Sequence, residues 1–169
     1  MNWIEPRYWA NERFIGDHQP VIGVSWYEAE AFCRWLSEEV GETITLPTEQ
    51  QWQRAVWAEP DGGSSEYTFA WGNEWDGDKC QHSVPPHESR QTSSVMAHEN
   101  MDNTSPCGVV GMTGNVWEWS LTVYETGNQD VDVDPTRPRV LRGGSWSTDH
   151  PHYFRSVSRY VSYPQSADR

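Results

Sequence analysis

The residues best suited to chemistry lie in "RGGSWSTDHPHYFRSVSRYVSYP", Arg142 to Pro164. The stretch opens on the rigid phrase Arg142-Gly143-Gly144-Ser145-Trp146 and continues with Ser, Thr, Asp, His, Tyr, Phe and Val in no clear period. Tyr and Ser dominate it. Antibody loops use the same pair, because Tyr gives rigid amphipathic area and Ser gives adaptable hydrogen bonding. The composition therefore points to recognition, with the glycines and Trp146 locking the base. A plainer reading makes Tyr153, Phe154, Tyr160 and Tyr163 core aromatics. Other chemistry is less well served. Cys33, Cys80 and Cys107 are an odd number at unpatterned spacing, and none follows position 107. Cys33 reads as a buried apolar residue on a helix, and Cys80 and Cys107 as free thiols. His82, His87 and His98 have no zinc-site spacing and are expected at the surface. Arg142, Arg155 and Arg159 are expected to pair with carboxylates or loop carbonyls. Asn115, Trp117, Glu118 and Trp119 read as scaffold.

The elements that must position this segment can be read from composition and pattern. A chain of 169 residues with 36 % hydrophobic and 13 % aromatic residues is expected to form one domain, residues 1–169, with an unusual share of tryptophan in its core. A net charge of −13 repels phosphate backbones, so nucleic acid is not an expected partner. No apolar run approaches the ~20 residues of a membrane span. The cysteine usage and the lack of a signal peptide at the first residues favour a reducing, cytoplasmic setting. "SWYEAEAFCRWLSEEVG" predicts a helix, with Ser25 and Glu28 as a capping box, Trp26, Ala29, Cys33, Leu36 and Val40 at helical spacing, and Gly41 as the stop. "LPTEQQWQRAVWA" repeats the device with Thr48 and Gln51, and turns Trp52, Ala55 and Val56 inward. From Glu59 to about Gly108 the chain is irregular, yet it carries Tyr67, Phe69, Trp71 and Trp75. An ordered loop region pinned by its own aromatics is expected there. "VGMTGNVWEWSLTVY" and "RVLRGGSW" predict short strands. Helices first, then loops and short strands, make the fold class α+β. Trp26, Trp35, Trp52, Trp117, Trp119 and Trp146 are expected to be largely buried.

Five phrases, "PVIGVSWYEAEAFCRWL", "LPTEQQWQRAVW", "FAWGNEW", "GVVGMTGNVWEW" and "RVLRGGSW", stand in an order that resembles the formylglycine-generating enzyme, or sulfatase-modifying-factor, family from about Pro20 to Arg159. The resemblance implies a C-type-lectin-like fold of that subtype: two helices, small twisted antiparallel sheets and long ordered loops. The family's enzyme oxidises a substrate cysteine with copper held by two cysteines just after the Gly-Gly-Ser-aromatic phrase. Here that interval is "STDHPHYF", without a cysteine, so copper is not expected and no cofactor is required. The related sulfoxide synthase of ergothioneine biosynthesis carries an additional His-rich iron-binding domain for which this chain has no room. A calcium site of the family, carried over, falls on the carbonyls of Gly114 and Val116 and the carboxylate of Glu118. Gly111 stands where the enzyme offers an oxygen-bearing side chain, so this is a weak calcium candidate.

The C-terminal phrase equally resembles variable proteins of diversity-generating retroelements, in which template adenines are randomised and AAC codons become NNC codons. Such codons cannot encode Lys, Glu, Gln, Met or Trp. None of these five occurs at Ser147, Thr148, Asp149, His150, His152, Tyr153, Phe154, Ser158, Tyr160, Val161, Ser162 or Tyr163, and the fixed letters Pro151, Arg155, Arg159 and Pro164 interrupt the set. This resemblance implies a non-catalytic domain that binds a protein or other macromolecular ligand through those residues. An oxidase of the family, active or degenerate, and a regulatory module of a signalling protein are the alternatives. Family members carry a further strand-bearing segment ahead of "PVIGVSW" and end on a Gly-Phe-Arg strand. The chain therefore reads as truncated at both ends or as a minimal variant, with one sheet edge left open.

Overall fold

The computed structural model describes residues 5–58, 62–63, 66–129 and 136–167; the side chain of Asn100 and parts of the long loop, residues 59–61 and 64–65, lie outside this description. The first helix, α1, spans Trp26–Val40. The Glu28 carboxylate accepts from the Ser25 backbone N–H at 2.6 Å, and the Glu28 N–H donates back to the Ser25 hydroxyl at 3.3 Å. Gly41 ends the helix at φ 71°, its N–H donating to the Ser37 carbonyl. The second helix, α2, spans Glu49–Trp57 and starts with the same reciprocal pair, Thr48 and Gln51. These caps satisfy N–H groups that the first helical turn leaves open. Both follow the sequence pattern.

The expected strands are present but shorter. β1 (Glu118–Val123) pairs antiparallel with β2 (Arg139–Arg142), in register at Glu118–Arg142 and Trp119–Leu141, with an irregularity before Val123–Arg139. β2 is central and pairs on its other side with β3 (Tyr160–Ser162), placing Val140 opposite Val161 and Leu141 opposite Tyr160. Residues 109–117 are irregular and bend through Gly111, Gly114 and Asn115, all at positive φ. The irregular region also contains a short helix, α3 (Val95–Asn100), which its few residues do not announce. The fold is mixed helix and sheet: among the described residues, three α-helices and one small antiparallel sheet stand among long ordered loops.

Two apolar clusters hold it together. Trp52 and Val56 of α2 meet Ala70 and Met112; Phe69, Cys80 and Phe154 form the second cluster, and half-buried Trp71 packs against both. Phe69 stacks on Trp71 at 5.4 Å, and Trp75 sits 5.1 Å from Phe154, so the long loop region is pinned by its own aromatics as expected. α1 docks through Trp26, whose indole N–H donates to the Ser120 carbonyl at 3.0 Å.

Three expectations need correction. Trp35 is 53 % exposed, and Val40 also faces outward, because α1 buries only the narrow stripe of Trp26 and Cys33. Trp117, Trp119 and Trp146 are half-buried. His82 and His98 are buried rather than at the surface. The His98 ring bonds to the Ser93 hydroxyl at 2.8 Å and the Asn103 amide at 3.0 Å, and its burial lowers the imidazole's affinity for a proton.

Candidate functional site

The rigid phrase is built from the inside outwards. Arg142 is buried, with its guanidinium 4.8 Å above the Trp52 ring, and it donates to Glu49 Oε1 at 2.7 Å and to the Ser156 carbonyl. Arg159 donates to the same Glu49 oxygen at 2.7 Å, so one carboxylate on α2 joins β2 to the end of the variable stretch. The expected carboxylate pairing therefore holds for Arg142 and Arg159, while Arg155 is exposed. Gly144 adopts φ 82°, and a Cβ there would meet the Phe154 ring at 2.5 Å. No other residue type fits that crossing without displacing the ring. Ser145 then starts a hook: its N–H donates to the Thr148 hydroxyl at 3.1 Å, and the Thr148 carbonyl accepts from the Ser83 N–H at 2.8 Å. Asn115, at φ 69°, accepts from the Trp146 N–H through its carbonyl and bonds Ser93 through its amide, which fixes the hook to the loop region.

Above this base lies an open cavity of about 580 Å³. One wall comes from the variable stretch: Ser147, Thr148, Asp149, Tyr153 and Tyr160. Its floor is the scaffold, Val116, Trp117, Ser145 and Trp146. The opposite wall is Tyr8, Asn11, Arg13, Phe14 and Ile22, which the sequence did not mark. Phe14 reaches across to Trp146 at 5.7 Å and Tyr8 backs it at 5.8 Å, so two aromatic residues in an aperiodic N-terminal stretch are the only sequence hint of that wall.

The other sequence-marked residues divide into two groups. His150, His152, Val161 and Tyr163 are exposed but lie outside the cavity lining; His150 caps the 3-10 turn Pro151–Phe154 by accepting from the His152 N–H. Phe154, Ser158 and Ser162 are buried at 1 %, 8 % and 8 % exposure, which corrects the expectation that all twelve side chains share one exposed face. Phe154 fills the second core cluster, and the Ser158 hydroxyl donates to the His152 carbonyl at 2.5 Å, closing the turn. The plainer reading as core aromatic is right for Phe154 and wrong for Tyr153 and Tyr163.

Among the described residues no sulfur lines the cavity. Cys80 sits in the core, where burial and then Asp76 push its thiol up to about 12, and Cys107 is exposed with its thiol on the Ala55 carbonyl. A two-thiolate copper site does not fit these residues. The calcium set does not fit either. The Glu118 residue is partly covered, but its carboxyl group lies inside, accepting from the Trp52 indole at 2.5 Å, and burial raises it to about 7. The Gly114 carbonyl already accepts from the Val116 N–H, and Gly111 brings no side-chain oxygen. One reluctant carboxylate and two carbonyls fall short of the roughly 6–8 oxygens calcium takes. Among the described residues no three His, Cys, Asp or Glu are grouped to hold a metal.

Short strands, capped helices and a Gly-Gly hook beneath a loop-built cavity define a C-type-lectin-like domain. The chain belongs to the sulfatase-modifying factor enzyme 1-like domain family, which matches it over residues 1–169. It is 29 % identical over 161 residues to inactive C-alpha-formylglycine-generating enzyme 2 of Bos taurus, covering 88 % of this chain and 46 % of that protein. It is 28 % identical to the formylglycine-generating enzyme of Mus musculus, covering 98 % of this chain and 46 % of the enzyme. The chain thus spans about half the length of the curated relatives it matches. A solved structure, Treponema denticola variable protein 1, superposes with a TM-score of 0.70 at 22 % identity, over 95 % of this chain and 72 % of that one, and shares the fold. Among the described residues no helix is long and apolar enough to cross a membrane.

Proposed function

We propose that this domain is a non-catalytic binding module whose Ser147–Tyr163 stretch is the variable surface of a diversity-generating retroelement protein, recognising a protein or other macromolecular ligand. The observation that carries this reading is the division of labour within the stretch. The fixed base, Arg142, Gly143 and Gly144, is buried and bonded to α2 and the core, while Ser147, Asp149, His150, His152, Tyr153, Val161 and Tyr163 project into solvent. Side chains at such exposed positions can change without reaching the core. The resemblance to an inactive formylglycine-generating enzyme and to a variable protein supports the same reading. The net charge of −13 argues against nucleic acid as the ligand.

A library randomised at those seven exposed positions, displayed and scored for protease resistance and for binding, tests it. Most members should stay folded while partner choice changes. A parallel library at Phe154, Ser158 and Ser162 should largely unfold. Unfolding of the first library, or binding that never depends on those seven positions, overturns the proposal.

A formylglycine-generating enzyme is among the relatives, so the competing reading is an enzymatic one. Incubation with copper, oxygen and a cysteine-containing sulfatase peptide should give no formylglycine above a protein-free control by mass spectrometry. An aldehyde product would replace the binding reading with an enzymatic one.

A further inference from the structure

We propose that the cavity over the Gly-Gly hook seats a weakly hydrated organic cation of the methylated-ammonium type, held against Trp117, Tyr160 and Tyr153 beside the Asp149 carboxylate. This deepens the ligand-binding reading and rests on it. The three rings form a bent wall. Trp117 and Tyr160 lie 5.1 Å apart at 32°, and Tyr153 turns against Tyr160 at 6.3 Å and 70°. All three rings line the cavity, and an aromatic face attracts a cation through its quadrupole.

Asp149 supplies the charge. It is exposed and lines the same cavity, and among the described residues no ion pair or hydrogen bond engages its carboxylate. A neutral ligand seated there would desolvate that carboxylate without compensation. An anion would meet it head-on, within the field of a chain carrying −13. Arg13 is the opposing feature, because its guanidinium also lines the cavity. Its guanidinium donates to the Arg90 carbonyl and lies 5.4 Å over the Phe14 ring, contacts that hold its position but leave its charge, so the order of affinities among probes of different charge decides between Asp149 and Arg13. A methylated ammonium suits the site better than a bare one for two reasons. It loses less hydration on entry, and a space of about 580 Å³ leaves room for its bulk.

The test compares three probes of one shape: choline, its uncharged carbon analogue 3,3-dimethylbutan-1-ol, and the anion 3,3-dimethylbutanoate, each titrated into the whole chain while the indole NMR signals are followed. Choline should bind about fivefold more tightly than the alcohol, and the carboxylate not at all. Asp149→Asn and Tyr153→Leu, both at exposed positions, should each weaken choline about fivefold with the melting temperature unchanged, while Asp149→Asn leaves the alcohol's affinity where it was. Equal affinities for choline and the alcohol would overturn the proposal, since the cavity would then be merely apolar. Preference for the carboxylate would also overturn it and hand the site to Arg13. A pentapeptide with a central trimethyllysine separates the sources: tighter binding than choline assigns the cation to a protein side chain, and equal or weaker binding to a free small molecule. If the seven-position library yields binders while choline never binds, this inference fails and the parent reading stands. If the library never depends on that face, the parent reading fails whatever choline does.

Discussion

Gly144 and Glu49 decide at single positions whether the binding face has a base. Gly144→Ala combines a left-handed backbone with a Cβ 2.5 Å from Phe154. It should destabilise the domain by about 2–5 kcal/mol in a denaturant melt. Gly111→Ala is the matched control: its φ of 81° is nearly the same, but nothing lies within 4 Å of the added carbon. That change should cost only about 1–2 kcal/mol, and equal losses would mean that the Phe154 contact is not tight. Glu49 accepts from Arg142 and Arg159 on one oxygen. Glu49→Gln leaves a buried guanidinium without its counter-charge and should cost about 3–5 kcal/mol. Arg159→Ala removes the more exposed partner, whose side chain is 37 % exposed against 1 % for Arg142, and should cost ~1 kcal/mol or less. If the two losses came out alike, the pair would be acting as a surface bridge.

At the scale of elements, the features that depend on near neighbours in the chain are legible in the sequence. Both capping boxes form, because Ser25–Glu28 and Thr48–Gln51 need only residues three apart. The strand at Arg139–Arg142 was legible for a similar reason, since its four residues run straight into the Gly-Gly stop. β3 and α3 were not legible. Three residues, Tyr160–Ser162, become a strand only because β2 offers its free edge, and no local pattern carries that information. The cavity's N-terminal wall is likewise a tertiary fact, made when Phe14 meets Trp146. Trp35 is exposed because it lies off the Trp26–Cys33 stripe, and a large apolar side chain does not by itself turn a helix face inward. The burial of His82 and His98 is not legible in the sequence, because their partners Gly77, Ser93 and Asn103 come within reach only once the loop has folded. The tryptophans give a direct check. Trp52→Ala should cost about 3–5 kcal/mol, whereas Trp35→Ala should change stability by less than ~0.5 kcal/mol in the same melt.

For the molecule as a whole, three buried groups pull stability in two opposite directions with pH. Burial lowers His98 and His82 below the ordinary value of 6.5, so both are held neutral in the fold. Their contribution is intact above that value and is lost as pH falls below it, because the unfolded chain then takes up protons the fold refuses. Glu118 runs the other way. Its folded value is raised from 4.5 to about 7, so its contribution is fully present below 4.5 and is lost as pH rises through 7. Between these limits the two slopes oppose one another. Glu118→Gln removes one slope while leaving an oxygen to accept from the Trp52 indole. The variant should exceed the unmodified chain by roughly 3 kcal/mol at pH 8, converge on it near pH 4.5, and lose stability steadily below about pH 6.5, all read from urea melts across that range. Millimolar calcium should leave both profiles unchanged, since the oxygens around Glu118 are too few to hold it. A variant-to-parent difference that does not depend on pH would mean the carboxylate is not desolvated. A difference abolished by calcium would mean that a cation neutralises it there after all.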